Sequence, residues 1–177
     1  DKMKIYTKSG DNQTTSIGNK RVSKDHIIVE VNGTVDELTS NLMVCFHLID
    51  DEKVKDIIKN ICVNLTHLSF EIITKKEYIT NEHVGTLEKL IDEYDEKLPK
   101  LTNFILPGSN LASSHLHVSR TVCRRLERKI VALGKEYRVS QSIYQYLNRL
   151  SDLLFVLARF IGKEDILIKL VLNNLNS

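Results

Sequence analysis

The strongest chemical signal in the sequence is one basic stretch, HVSRTVCRRLER, in which Arg120, Arg124, Glu127 and Arg128 recur at steps of three and four. On a helix that spacing puts them along one face. Stacked guanidiniums repel one another unless something anionic sits among them. A polyphosphate or a set of carboxylates would serve. A solvated charged face with Glu127 as internal counter-ion is the competing reading, and the residues alone leave both open. Farther along, Asn148 and Asp152 are one turn apart beside Arg149 and flank an apolar stripe. That polar face suits either a ligand or pairing with the basic helix. Asp36 by itself reads as ordinary charge near a helix N-terminus.

Several chemistries lack their motifs. The sequence has no GxxxxGK[ST], so a P-loop is unsupported, and no HExxH. It has no Glu-x-x-His, so a carboxylate-bridged di-iron bundle lacks its ligands. No GxSxG elbow occurs. His115 and His117 are two apart on a helix and point different ways. Cys45, Cys62 and Cys123 are odd in number, form no CxxC pair and each fall within an apolar helical pattern, which predicts small core residues. The lack of a disulfide framework suggests a reducing compartment.

Long helices must position these groups. The 177 residues are 42% hydrophobic but include only 7 Gly and 2 Pro, which favours helices over a strand-and-turn architecture. The length suggests one domain over 1–177, divided into an N-terminal segment, 1–30, and a helical bundle, 31–177. Residues 7–24 are polar and without helical period, so they read as a loop or mobile arm. Apolar residues stepping by three and four predict helices over about 34–49, 51–74, 81–98, 110–135 and 140–161. Thr34 is the expected cap of the first, with Asp36 and Glu37 in its first turn. A short terminal helix is expected over 165–175. Short connections favour an up-and-down five-helix bundle, an all-α fold. The exception is the apolar loop 99–109, whose Phe104-Ile105-Leu106 must be covered by the core, a partner subunit or a ligand.

The net charge is +2, from 25 Lys plus Arg against 23 Asp plus Glu. A nucleic-acid partner is not expected on that balance, and the basic helix lacks interleaved aromatics and a helix-turn-helix pattern. No apolar run reaches bilayer length, so a membrane partner is not expected. The start shows no signal-peptide pattern. A cytoplasmic location is expected, or a mitochondrial matrix one if a targeting segment has been trimmed.

Read together, five blocks resemble the PduO-type ATP:cob(I)alamin adenosyltransferases. They are Lys4-Ile5-Tyr6-Thr7-Lys8-Ser9-Gly10-Asp11, then Gly33-Thr34-Val35-Asp36-Glu37-Leu38, then Phe104-Ile105-Leu106-Pro107-Gly108. His117 with residues 120–128 makes the fourth and Tyr146-Leu147-Asn148-Arg149-Leu150-Ser151-Asp152 the fifth. They occur in family order over nearly the whole chain. The resemblance implies a homotrimer of helical bundles with sites between subunits, the N-terminal segment forming a nucleotide-binding arm. It implies transfer of the 5′-deoxyadenosyl group of ATP to the cobalt of cob(I)alamin. The alternative is a scaffold or regulator of the same fold with weakened catalysis.

The resemblance assigns ATP to Thr7, Lys8, Ser9, Gly10, Thr15, Ser16 and Lys24, completed on the bundle by Arg124, Arg125, Glu127, Arg128 and Asn148. Mg²⁺ would accompany the phosphates. It assigns cobalamin to Phe104 and an Asp36–Arg120 salt bridge, and catalysis to Arg120, Arg124, Asp36 and Phe104. In the family an aromatic on the loop displaces the axial ligand of cob(II)alamin so that cobalt can be reduced. A cob(II)alamin reductase and adenosylcobalamin-dependent enzymes are the implied partners. The sequence departs from the family pattern at Asp11-Asn12-Gln13, where glycine usually stands at the third place and would allow positive φ. Pro107-Gly108-Ser109 and Thr39-Ser40 are milder changes.

Overall fold

A computed structural model of the chain describes residues 2–168. Two short strands, β1 (Thr14–Ile17) and β2 (Lys20–Ser23), pair antiparallel, with Thr14 opposite Ser23. Five helices follow: α1 (Ile27–Leu48), α2 (Glu52–Thr74), α3 (Asn81–Asp95), α4 (Leu111–Leu133) and α5 (Gln141–Gly162). The all-α bundle expected from the stripes is therefore present, with a hairpin where a plain loop was expected.

Three boundaries differ from the sequence reading. α1 starts seven residues early, capped by His26, whose Nδ1 accepts from the Ile28 N–H at 3.1 Å. Thr34 is not a cap: it is buried, and its Oγ1 donates to the Glu30 carbonyl inside the helix. Asp36 and Glu37 thus lie well beyond the first turn. α3 ends at Asp95, three residues short of Leu98. Of the expected terminal helix, residues 165–168 are extended, with Leu167 bridged to Ile105; the remainder lies outside the described residues.

The helices alternate in direction, but their order around the bundle is α2, α1, α4, α5, α3. Pairs of contacts fix each relation. Glu37 meets Arg125 and Glu30 meets Lys129, so α1 and α4 run antiparallel. Ser113 bonds to the Ala158 carbonyl and Cys123 to that of Leu147, so α4 and α5 do too. Asn81 meets Ser142, Glu88 meets Arg149 and Tyr94 packs edge-on against Phe160, so α3 and α5 run parallel. Lys53 of α2 pairs with Glu93 of α3 and closes the ring.

α4 sits between α1 and α5 and holds the middle of the core. Leu116, Cys123, Leu126, Ile130 and Leu133 are completely buried there. Truncating one such leucine to alanine removes about 2–5 kcal/mol. Cys45 is buried as well and Cys62 is half-buried; all three cysteines are free thiols. None of the helices is long and apolar enough to cross a membrane, among the described residues.

Candidate active site

Burial of one α4 face leaves its basic face outward. Arg124 and Arg128 are exposed and Glu127 is half-buried. Arg125 and Lys129 turn to α1, at 2.5 Å from Glu37 and 2.6 Å from Glu30. Arg124, Arg128 and Glu127 enter no ion pair among the described residues. The reading of Glu127 as an internal counter-ion therefore fails, and two guanidiniums are left for an external anion. Across the α4–α5 seam the Cys123 thiol is pushed up, first by burial, then by Glu127 and Asp152, against the opposing pull of Arg124. All three charges therefore act on one buried sulfur at that seam. On α5, Asn148 is exposed, its Oδ1 accepting from Arg149 at 2.8 Å.

The arm is built rather than loose. Arg21, on β2, reaches back across it: its guanidinium donates to the Ser9 carbonyl (2.6 Å), the Thr14 carbonyl (3.0 Å), Thr14 Oγ1 (2.8 Å) and Ser16 Oγ (3.0 Å). The Lys24 N–H closes the loop on the Gln13 carbonyl. Gly10 lies against the Lys24 amine, 3.1 Å from where a Cβ would stand. Thr7 and Ser9 share a 2.7 Å hydroxyl contact across Lys8, while Thr15 lies on β1 opposite Val22. Gln13 keeps φ at 63°, the left-handed conformation that glycine would supply. A non-glycine residue there costs about 1–2 kcal/mol, a cost the loop carries in this conformation. Arg21 has no signature in the sequence because two of its four acceptors are main-chain oxygens and the other two are ordinary hydroxyls, which leave no pattern of residue types.

The expected Asp36–Arg120 salt bridge is not formed within the chain. The reason is register. Glu37 already pairs with Arg125, so in this antiparallel pair Arg120 stands about six residues up α4 from Asp36's level, about 9 Å along the axis. Arg120 instead donates from Nε to His117 Nδ1 at 3.2 Å and lies 6.0 Å over the Phe155 ring. Asp36 is exposed on α1.

His117 must stay neutral to accept that bond. It is 3% exposed, and burial, followed by the Arg120 charge, pushes its pKa from 6.5 down to about 4. Above pH 6.5 the folded and unfolded states are both neutral and this group contributes no pH dependence. Between 6.5 and 4 the unfolded chain binds the proton and the folded one does not, so stability falls as pH falls, by about 3 kcal/mol in all. We expect His117→Asn, which keeps an acceptor near the Nδ1 position but cannot titrate, to flatten the midpoint of urea unfolding across that window. An unchanged slope would show that other groups govern it.

Phe104 is 73% exposed at the end of the bundle formed by the α4 N-terminus and the α5 C-terminus. Its loop is nevertheless fixed. Ile105 bridges to Leu167, the Leu106 N–H donates to the Ile166 carbonyl (2.8 Å), and the Ile168 N–H donates to the Phe104 carbonyl (2.7 Å). Gly108 turns the chain into α4 with φ at 116°, where a Cβ would collide with Ser114. The structure thus sets Arg124 and Glu127 of α4 and Asp152 of α5 along the seam next to Cys123, the arm residues in a second place, and Phe104 apart from both.

The family model for cobalamin adenosyltransferase matches residues 5–161. A corrinoid adenosyltransferase from Citrobacter freundii is 40% identical over 164 residues, covering 88% of this chain and 93% of that protein. The corrinoid adenosyltransferase PduO of the same organism is 40% identical over 165 residues, 89% of this chain but 49% of that one, so the chain spans about half its length. Among solved structures, a variant PduO-type ATP:corrinoid adenosyltransferase from Lactobacillus reuteri, complexed with cobalamin and ATP, superposes with a TM-score of 0.88 at 32% identity. That match covers 94% of this chain and 97% of the other.

Proposed function

The chain belongs to the cobalamin adenosyltransferase family, and from that membership we propose that it moves the 5′-deoxyadenosyl group of ATP onto the cobalt of cob(I)alamin. The observation that carries the reading is the pair Arg124 and Arg128, exposed on α4 and without ion-pair partners among the described residues. The cobalt(I) electron pair attacks C5′ of the ribose, the C5′–O bond breaks, and triphosphate leaves with that electron pair. No side-chain nucleophile or base is required. What the reaction needs is a leaving group of high charge held in line by positioned cations and N–H groups. Arg124, Arg128, Lys8 and Lys24 would supply the cations. Thr7, Ser9, Gly10, Thr15, Ser16, Arg125, Glu127 and Asn148 would complete the ATP site.

Mg²⁺ fits as a companion of the triphosphate, where it would neutralise part of the leaving-group charge. The described residues hold no cluster of three His, Cys, Asp or Glu side chains that would cage it. Magnesium in phosphate sites is commonly held by the phosphates and one or two carboxylates; Glu127 on α4 and Asp152 on α5 are the carboxylates on the two sides of the seam next to Cys123.

Phe104 would meet the corrinoid, with Asp36 and Arg120 paired between copies of the chain rather than within one. An exposed helical glycine, Gly33, lies one turn before Asp36, and a Cβ there would touch nothing within 4 Å. Nothing in the chain itself needs a glycine at that place, which favours close approach from outside. The assembly on this reading is a homotrimer. A cob(II)alamin reductase would supply the substrate and adenosylcobalamin-dependent enzymes would take the product, in a cytoplasm or mitochondrial matrix.

The test is to mix the protein with MgATP and chemically reduced cob(I)alamin and follow the alkyl-cobalt absorption together with released triphosphate. A stoichiometric rise of both is expected. Neither signal at equimolar enzyme would leave only the scaffold reading. Sedimentation of the same sample should give three chains per particle, and an active monomer would rule out sites between copies.

A further inference from the structure

An exposed ring on a rigid loop needs something to make the loop rigid. Phe104 itself is not held by packing, yet its own carbonyl and the peptide after Ile105 are fixed by residues 166–168, so the chain is held on the C-terminal side of the ring. That short extended segment lies beyond the last helix, and its own anchor is buried. Asp165 accepts from Arg159 Nε (3.1 Å) and Nη2 (3.0 Å), and the same Nη2 donates to the Pro99 carbonyl at 2.7 Å. The two side chains are 4% and 15% exposed. One guanidinium therefore ties the start of the Phe104 loop to the segment that runs beside its middle. A buried ion pair is a weak stabiliser compared with apolar packing of the same volume, but it fixes direction, since the planar guanidinium fork accepts a carboxylate in few orientations.

We propose that Arg159 and Asp165 are positioning residues for Phe104, acting through the segment 166–168 to hold the ring where it displaces the axial ligand of cob(II)alamin. The inference rests on the proposed adenosyltransferase function and on the role of Phe104 within it. Neither residue touches the reacting atoms. Their contribution is to the step that makes the nucleophile, and the later attack on ATP does not use it.

Two variants test it from independent sides. Asp165→Asn removes the charge from the anchor. Ile168→Pro removes the N–H that donates to the Phe104 carbonyl, and it lies outside the helices, so the bundle should fold. Each is assayed with cob(II)alamin plus reductant and with pre-reduced cob(I)alamin, beside Phe104→Ala. We expect the ratio of the first rate to the second to drop about tenfold or more in both variants, with helical circular dichroism and the cob(I)alamin rate within about twofold of the parent. Electron paramagnetic resonance of bound cob(II)alamin should regain the nitrogen splitting of the attached axial base. If Asp165→Asn does not fold, Ile168→Pro decides. Equal loss in both assays would mean a structural role only and would overturn the inference. So would unchanged ratios beside a Phe104→Ala ratio that falls. If the Phe104→Ala ratio also stays level, the reading beneath it fails as well.

Discussion

Phe104→Ala should separate two assays that ordinarily move together. With pre-reduced cob(I)alamin most activity should survive, because no axial ligand is left for the ring to displace. With cob(II)alamin and a separate reductant the rate should fall by about a hundredfold or more, equivalent to roughly 3 kcal/mol at the barrier. The axial base stays on and cobalt resists reduction. The ring is 73% exposed, so its removal leaves no core cavity and fold stability should change little. The reading is the ratio of the two rates for one variant. Equal falls would mean that Phe104 only shapes the pocket. No fall in either would mean that the loop has no part in generating the nucleophile.

Arg124→Ala should behave in the opposite way, lowering both assays alike. Its guanidinium is exposed and has no ion-pair partner among the described residues, so it is available to the triphosphate. Charge accumulates on the leaving group as the C5′–O bond breaks, and one positioned electrostatic group at such a place contributes about 2–4 kcal/mol. A fall of about 30-fold to 10³-fold in kcat/KM for ATP is expected, with the KM for the corrinoid unchanged. Arg124→Lys should recover part of it, since a point charge remains but the fork is lost. A variant with unaltered ATP kinetics would return the basic face to the role of a solvated surface.

Much of the bundle was legible because burial writes a period into the sequence. Ile143, Leu147, Leu150, Leu154 and Leu157 step along one side of α5, and all are buried. The errors have local causes. Thr34 looks like a cap by residue type, which places the helix start there; Thr34 instead satisfies its hydroxyl on the preceding turn, and the cap is a histidine, seldom used for that task. The hairpin was missed because four-residue polar strands carry too little alternation to read. For the site, residue types and spacing put Arg120, Arg124 and Glu127 on one face of one helix and Asn148 and Asp152 one turn apart on another. They could not supply relative register, and register is what keeps Asp36 from Arg120. Arg159 and Asp165 were invisible for a related reason: they meet only because α5 ends between them and the chain turns back at Lys163, with φ at 65°.

The hairpin and the Phe104 loop occupy opposite ends of the bundle. Ile17 and Val22 border the cleft beside Tyr137 and the end of α2, whereas Phe104 lies by the first turn of α4. Twenty-three residues of α4 span about 34 Å between those ends. On the proposed reaction cobalt and C5′ would come within a bond length, so one chain's arm would not serve its own Phe104 unless it left the place it occupies here. Two lesions, one in each end, would then be able to cancel when carried by different copies. Co-assembled subunits, half bearing Lys8→Ala and half bearing Phe104→Ala, would regain whole sites at some of their junctions, a genetic behaviour that neither variant shows when pure.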